Sequence, residues 1–265
     1  MEGKKKKSNL LTNIFLVIAL GVFAFSGYKI YQIYVNYKAI DNEYETIKEE
    51  FVTEEIEIED TMEVEQEEVV EAAFQVDFEA LRAVNDDVIG WIRFVEPSVI
   101  SYPVVQTSNN DYYLKKSLEK KYLSAGSIFA DYQNDDDFND ENTVIYGHNM
   151  KNGSMFGQLR KFKDTEFCKA NPYFYIYTVD GREITYQIFA VKVVGATSST
   201  YDKIYNDKEE FQQYIDNVYV GAIYTSADVS VTAEDRIVTL STCTGNDETR
   251  LVVFGVVVNE VVIGE

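Results

Sequence analysis

Apolar positions in this chain fall into one unbroken block, then an acid-rich gap, then a series of short alternating runs. Leu10 to Tyr28 holds 19 residues without a charge, close to the ~20 that a helix needs to cross a bilayer. Lys4 to Lys7 precede it, and Ile30, Tyr31, Ile33, Tyr34 and Tyr37 prolong it as an aromatic, amphipathic stretch. Positive-inside asymmetry then predicts an uncleaved single-pass anchor at 10–28, a cytoplasmic basic tail at 1–9, and the remainder outside the cell. A cleaved signal peptide is the alternative, with Ala24-Phe25-Ser26 as its small-x-small site. From Asp41 to Asp77, 16 acidic residues face a single lysine, Lys48. The segment 29–75 therefore reads as a self-repelling stalk or linker, too poor in apolar surface to fold alone.

After residue 76 the pattern becomes that of a folded domain, 76–265. Val76 to Val84 reads as a helix, and the apolar run Val88-Ile89-Gly90-Trp91-Ile92 follows Asn85-Asp86-Asp87. Strands are predicted at Val99 to Val105, Ser127 to Ala130, Thr143 to Tyr146, Tyr173 to Thr178, Glu183 to Val194, Arg236 to Thr242 and Leu251 to Val262. Helices are predicted at Asp111 to Leu118 and Asp207 to Tyr219, with a shorter one at Met155 to Phe162 capped by Ser154. Many strands with few helices make this a mainly β fold, a closed or nearly closed barrel with peripheral helices.

Composition narrows the function. The 46% hydrophobic content, with 20 Tyr and 16 Phe, supports a real core. A net charge of −21 argues against a nucleic-acid partner, because phosphate binding needs a basic surface. Two cysteines cannot form a disulfide framework, although a Cys168–Cys243 bridge is arithmetically open. The acidic run Asp131 to Glu141 lacks the residue order of an EF-hand loop and reads as a solvated turn. One histidine and two separated cysteines offer no zinc spacing, so neither a metal nor another cofactor is expected.

Two positions carry candidate chemistry. Thr239-Leu240-Ser241-Thr242-Cys243 leads through a polar loop to Arg250-Leu251-Val252-Val253-Phe254, a hairpin whose strand ends present a thiol and a guanidinium. A cation near the sulfur favours the thiolate, and donors there can hold an oxyanion. Alternation places Ile237, Thr239, Ser241 and Cys243 on one face and Val238, Leu240 and Thr242 on the other. His148, the only histidine, ends the run Thr143-Val144-Ile145-Tyr146-Gly147 and is the one side chain whose ordinary pKa lies near neutrality. Any acid–base partner of Cys243 must then be His148. Read separately, a turn histidine and a strand-end cysteine are also common structural features. Cys168 stands without a nearby arginine and reads as a bystander.

Together these residues resemble the sortases, cysteine transpeptidases of Gram-positive cell surfaces, and most of all class B. The resemblance runs from about Phe78 to Ile263. It is carried by Asn85 to Ile92, Tyr102-Pro103-Val104-Val105-Gln106, Asp111-Tyr112-Tyr113-Leu114, Gly126-Ser127-Ile128-Phe129, Asn142 to Met150, and Thr239 to Cys243 with Arg250. It implies a sortase-like closed barrel of about eight strands, with the family's His, Cys and Arg on His148, Cys243 and Arg250. The implied partners are surface proteins bearing a carboxy-terminal sorting motif and a peptidoglycan precursor amine, with the membrane reached through the amino-terminal helix. Cleavage after a threonine through a thioester would need no cofactor, and Ser241 is a candidate substrate contact. A membrane-anchored cysteine peptidase using water and a non-enzymatic adhesion or pilus β-domain are the competing readings.

Overall fold

The computed structural model describes residues 3–55, 73–201, 204–243, 245 and 248–263. The chain divides into two units, Met1–Glu43 and Tyr44–Glu265. In the first, helix α1 (Gly3–Phe51) begins, and its apolar side chains from Leu10 to Val35 are exposed. The helix is long and apolar enough to cross a membrane.

The second unit takes in more chain than the expected start at 76. Within the acid-rich segment, Tyr44, Ile47 and Phe51 recur at i, i+3 and i+7 on one helical face and are buried. The Tyr44 hydroxyl donates to the Gly126 carbonyl at 2.7 Å, and its ring meets Tyr102 edge-on at 5.1 Å. Strand β1 (Val52–Glu55) then pairs antiparallel with β2 (Ala73–Val76), whose Phe74 packs on Tyr177 at 4.7 Å. The rest of the expected stalk, 56–72, lies outside the described residues.

Helix α2 (Phe78–Val84) starts after Asp77, whose carboxylate accepts from Ala80 N; this cap leaves Val76, expected in the helix, to β2. Eight strands then form a ring: β3 (Val88–Phe94), β4 (Ser101–Val105), β5 (Ile128–Ala130), β6 (Asn142–Tyr146), β7 (Tyr173–Thr178), β8 (Arg182–Gly195), β10 (Ile237–Cys243) and β11 (Thr249–Val262). The order is β11-β10-β6-β5-β4-β3-β7-β8, and β8 pairs with β11 to close it; the two-residue β9 (Tyr224–Thr225) adds to β8. Within the ring β4 and β5 run parallel, as do β6 and β10. Closure hides the strand edges. Rings of Phe94, Phe174 and Tyr186 stack through its interior, Phe94 to Phe174 at 4.8 Å and Phe174 to Tyr186 at 5.2 Å.

Helix α4 (Lys208–Tyr219) is capped by Asp207 and buries Phe211, Tyr214, Ile215 and Val218, one apolar stripe against the barrel. Two other expected helices differ. Asp111 to Leu118 is only a 3₁₀ turn, Tyr112–Lys115, because Lys116 leaves to bridge Tyr122. The Met155 to Phe162 segment is a 3₁₀ helix over Phe156–Lys163, preceded by Met155 at φ 54°. Ser154 does not cap it: its hydroxyl bonds Asn152 Oδ1 at 2.8 Å. The short helix α3 (Thr165–Ala170), capped by Asp164, has no counterpart among the expected elements.

Candidate active site

Strand register brings three separated positions to one rim of the barrel. In the parallel pair β6 and β10, Tyr146 stands opposite Ser241, and Gly147 N donates to the Ser241 carbonyl at 3.1 Å. Two residues further on come Cys243, the last residue of β10, and His148, just past the end of β6. In the antiparallel pair β10 and β11, Cys243 stands opposite Arg250. The backbone thus places a histidine, a cysteine and an arginine at three adjacent strand ends, although they lie up to 102 positions apart in the chain.

A cavity of about 620 Å³ opens at this rim. His148, Ser241, Thr242 and Arg250 line it, together with Leu114 and Tyr201. His148 is half-buried, and its Nε2 lies 2.8 Å from the Leu114 carbonyl oxygen. A carbonyl only accepts, so Nε2 carries the hydrogen in this bond and Nδ1 is the nitrogen left to gain or lose a proton. The His148 carbonyl accepts from Phe156 N at 3.0 Å, which holds the turn after β6 from the other side. Arg250 is likewise tethered, Nη1 donating to the Thr249 carbonyl at 3.0 Å.

Both faces of β10 reach the cavity at its end. Ser241, expected on the face of Cys243, is 2% exposed and shares a 2.8 Å hydrogen bond with the Tyr201 hydroxyl. Thr242, on the opposite face by alternation, also lines the cavity, and its buried Oγ1 has no hydrogen-bond partner among the described residues. Of the polar loop after Cys243, residues 244, 246 and 247 lie outside the described residues.

Cys168 is a free cysteine, so the Cys168–Cys243 bridge is not formed. It is fully buried, and its Sγ donates to the Phe162 carbonyl at 3.0 Å. Burial first, and then the charge of Asp164, push its thiol up to about 12, the reverse of what a nucleophile requires.

The acidic run 131–141 is solvated only in part. Asp135, Asp136 and Asp137 are exposed, while Asp140 accepts from Asn134 Nδ2 and Asp135 N at 2.9 Å each and closes the turn. Asp131 instead is buried and forms part of the cavity wall with Asn110 and Tyr146. Tyr146 lies within the motif Asn142 to Met150, but Asn110 falls one residue before Asp111-Tyr112-Tyr113-Leu114, and nothing in the local pattern separates Asp131 from the solvated acids that follow.

A family model for the sortase domain matches residues 95–258. Sortase B of Listeria monocytogenes is 35% identical over 245 residues, covering 90% of this chain and 92% of that protein. Sortase B of Staphylococcus aureus is 30% identical, covering 91% of each. Among solved structures, sortase B of Bacillus anthracis in complex with AAEK1 superposes with a TM-score of 0.70 at 30% identity, covering 85% of this chain and 99% of that one. The chain belongs to the sortase family, and within it to class B. It is therefore a cysteine transpeptidase of the cell wall, whose family joins surface proteins bearing sorting signals to peptidoglycan precursors.

Proposed function

We propose that Cys243, His148 and Arg250 carry the transpeptidation. The observation that supports this most is the register itself, which sets their backbones at three neighbouring strand ends around one cavity. The Cys243 thiolate attacks the carbonyl carbon that follows a threonine in the sorting motif. The Arg250 guanidinium orients the peptide and stabilises the oxyanion of the tetrahedral intermediate. His148, protonated at Nδ1, delivers that proton to the departing amine as the C–N bond breaks and the thioester forms. The acceptor amine then attacks the thioester, His148 takes its proton, and the thiolate leaves. Ser241 contributes a substrate contact through the hydroxyl now shared with Tyr201.

The amino-terminal helix supplies the anchor in this reading, spanning the membrane at 10–28 with residues 1–9 cytoplasmic and the barrel outside. Residues 29–43 link the anchor to the folded unit, which takes in Tyr44 to Phe51 of the acid-rich segment. Hydrolysis by water is the competing outcome, and the product decides. With a sorting peptide and triglycine, the amide-linked peptide should form in excess over free acid; free acid alone, unchanged by triglycine, would make the protein a peptidase.

A further inference from the structure

Strand β5 ends at Ala130, and the next residue carries a carboxylate that water barely reaches. Asp131 is 1% exposed; its N–H donates to the Val144 carbonyl at 2.8 Å. A carboxylate taken out of water needs donors around it. Asp131 Oδ2 accepts from Asn110 Nδ2 and from the Tyr146 hydroxyl, both at 2.8 Å, and Oδ1 accepts from Gln133 N at 3.0 Å. Asn110 and Tyr146 line the cavity that holds His148 and Arg250.

Because a carboxylate only accepts, both bonds have a forced sense. Asn110 presents Nδ2 to Asp131 while its Oδ1 accepts from Tyr132 N at 3.0 Å, so its carboxamide cannot turn over without losing both. The Tyr146 proton is committed to Asp131, which leaves the phenol oxygen only lone pairs to offer. The pair therefore retains one N–H donor and one oxygen acceptor, each held 2.8 Å from the same carboxylate oxygen. A donor beside an acceptor is the complement of an amide. The Tyr146 ring also lies 6.0 Å from that of Tyr201, whose hydroxyl meets Ser241 two residues before Cys243.

We propose that Asp131 is a positioning residue for the peptide substrate: it locks the donor–acceptor sense of Asn110 and Tyr146 so that the cavity wall receives an amide group beside Cys243, His148 and Arg250. The inference rests on the transpeptidase reading above. Its test is Asp131→Asn, which keeps the shape but replaces one accepting oxygen by an NH₂ that must face either Gln133 N or the Asn110–Tyr146 pair. The expected result is a kcat/KM for a sorting peptide lower by about tenfold or more, carried mainly by KM. Alkylation of Cys243 by iodoacetamide, which does not use the wall, stays within about twofold of wild type. Asn110→Ala, costly in the wild type, then adds almost nothing in the Asp131→Asn background.

Wild-type kcat/KM in Asp131→Asn, or losses that multiply with those of Asn110→Ala, would overturn the proposal while leaving the transpeptidase reading intact. An inert wild type in the same assay removes both. Should Asp131→Asn not fold, Asn110→Ala and Tyr146→Phe keep the carboxylate and carry the test. Their combined loss is expected to fall well short of the product of the single losses, and a full product contradicts the shared anchor.

Discussion

Gly147 joins the strand that carries Tyr146 to the residue that carries the imidazole, and it has no room for a side chain. A Cβ built there would lie 2.5 Å from Ile128 Cδ1 and 2.7 Å from two ring atoms of Phe156, against an ordinary carbon–carbon separation of about 3.5–4.0 Å. Ile128 and Phe156 are both fully buried, in an interior whose close packing leaves little room for either to move. Relieving Gly147→Ala thus needs a relative shift of about 1 Å between the end of β6 and the 3₁₀ helix at Phe156, at an overpacking cost of about 1–3 kcal/mol. In a domain of this size that lowers the Tm by about 3–9 °C. The same shift strains the Phe156 N to His148 carbonyl bond and the His148 to Leu114 bond. A misplacement of about 1 Å at a reacting group can cost about 100-fold in rate. Thermal unfolding and kcat/KM on one sorting peptide, measured with and without Phe156→Leu, check both effects. The second substitution is expected to return part of the activity lost. Wild-type Tm and turnover in Gly147→Ala would refute it.

Two further outcomes follow from the environments of single groups. With its thiol pushed up to about 12, Cys168 is thiolate to only about one part in ten thousand at pH 8. Iodoacetamide should therefore label Cys243 alone in the native protein, read by peptide mass mapping, and a label on native Cys168 would contradict its burial. At the far end of the barrel from the site, Glu260 bonds Arg182 at 2.8 Å and also bonds Arg236. Burial raises the Glu260 pKa, but the hydrogen bonds from the two arginines outweigh it and hold the group below its ordinary 4.5. A depressed carboxylate stabilises the fold above the unfolded value and loses that contribution as pH falls through the folded one. Glu260→Gln should thus cost about 1 kcal/mol at neutral pH, with the difference in urea midpoint shrinking as the pH falls below the ordinary glutamate value of 4.5. An unchanged difference across that range would contradict the linkage.

How much of this was readable in advance depends on whether the signal is local. Strand β7 occupies the expected Tyr173 to Thr178, and β6, β8, β10 and β11 lie within two residues of their expected ends. Their β-branched and aromatic runs are bounded by turns, a pattern that survives without tertiary information. The rim of His148, Cys243 and Arg250 was legible for the same reason, since each stands at a strand end. Tyr44, Ile47 and Phe51 were not, because acids surround them and the surface they pack on comes from chain far downstream. The helical pattern over Asp111 to Leu118 yields only the Tyr112–Lys115 turn, since periodicity over eight residues does not reveal the bridge from Lys116 to Tyr122. Asp131 was least visible: a buried carboxylate and a solvated one are written with the same letter, and only its donors from Asn110 and Tyr146 separate them.

The proposed intermediate is covalent. Incubating the protein with a sorting peptide in the absence of any acceptor amine and quenching in acid should leave an adduct on Cys243 whose mass equals the peptide up to and including its threonine, less one water. That adduct should decay when triglycine is added before the quench, and it should be absent in Cys243→Ala. Peptide turnover by Cys243→Ala, or a wild type that releases product while Cys243 stays unmodified under every quench, would contradict the account.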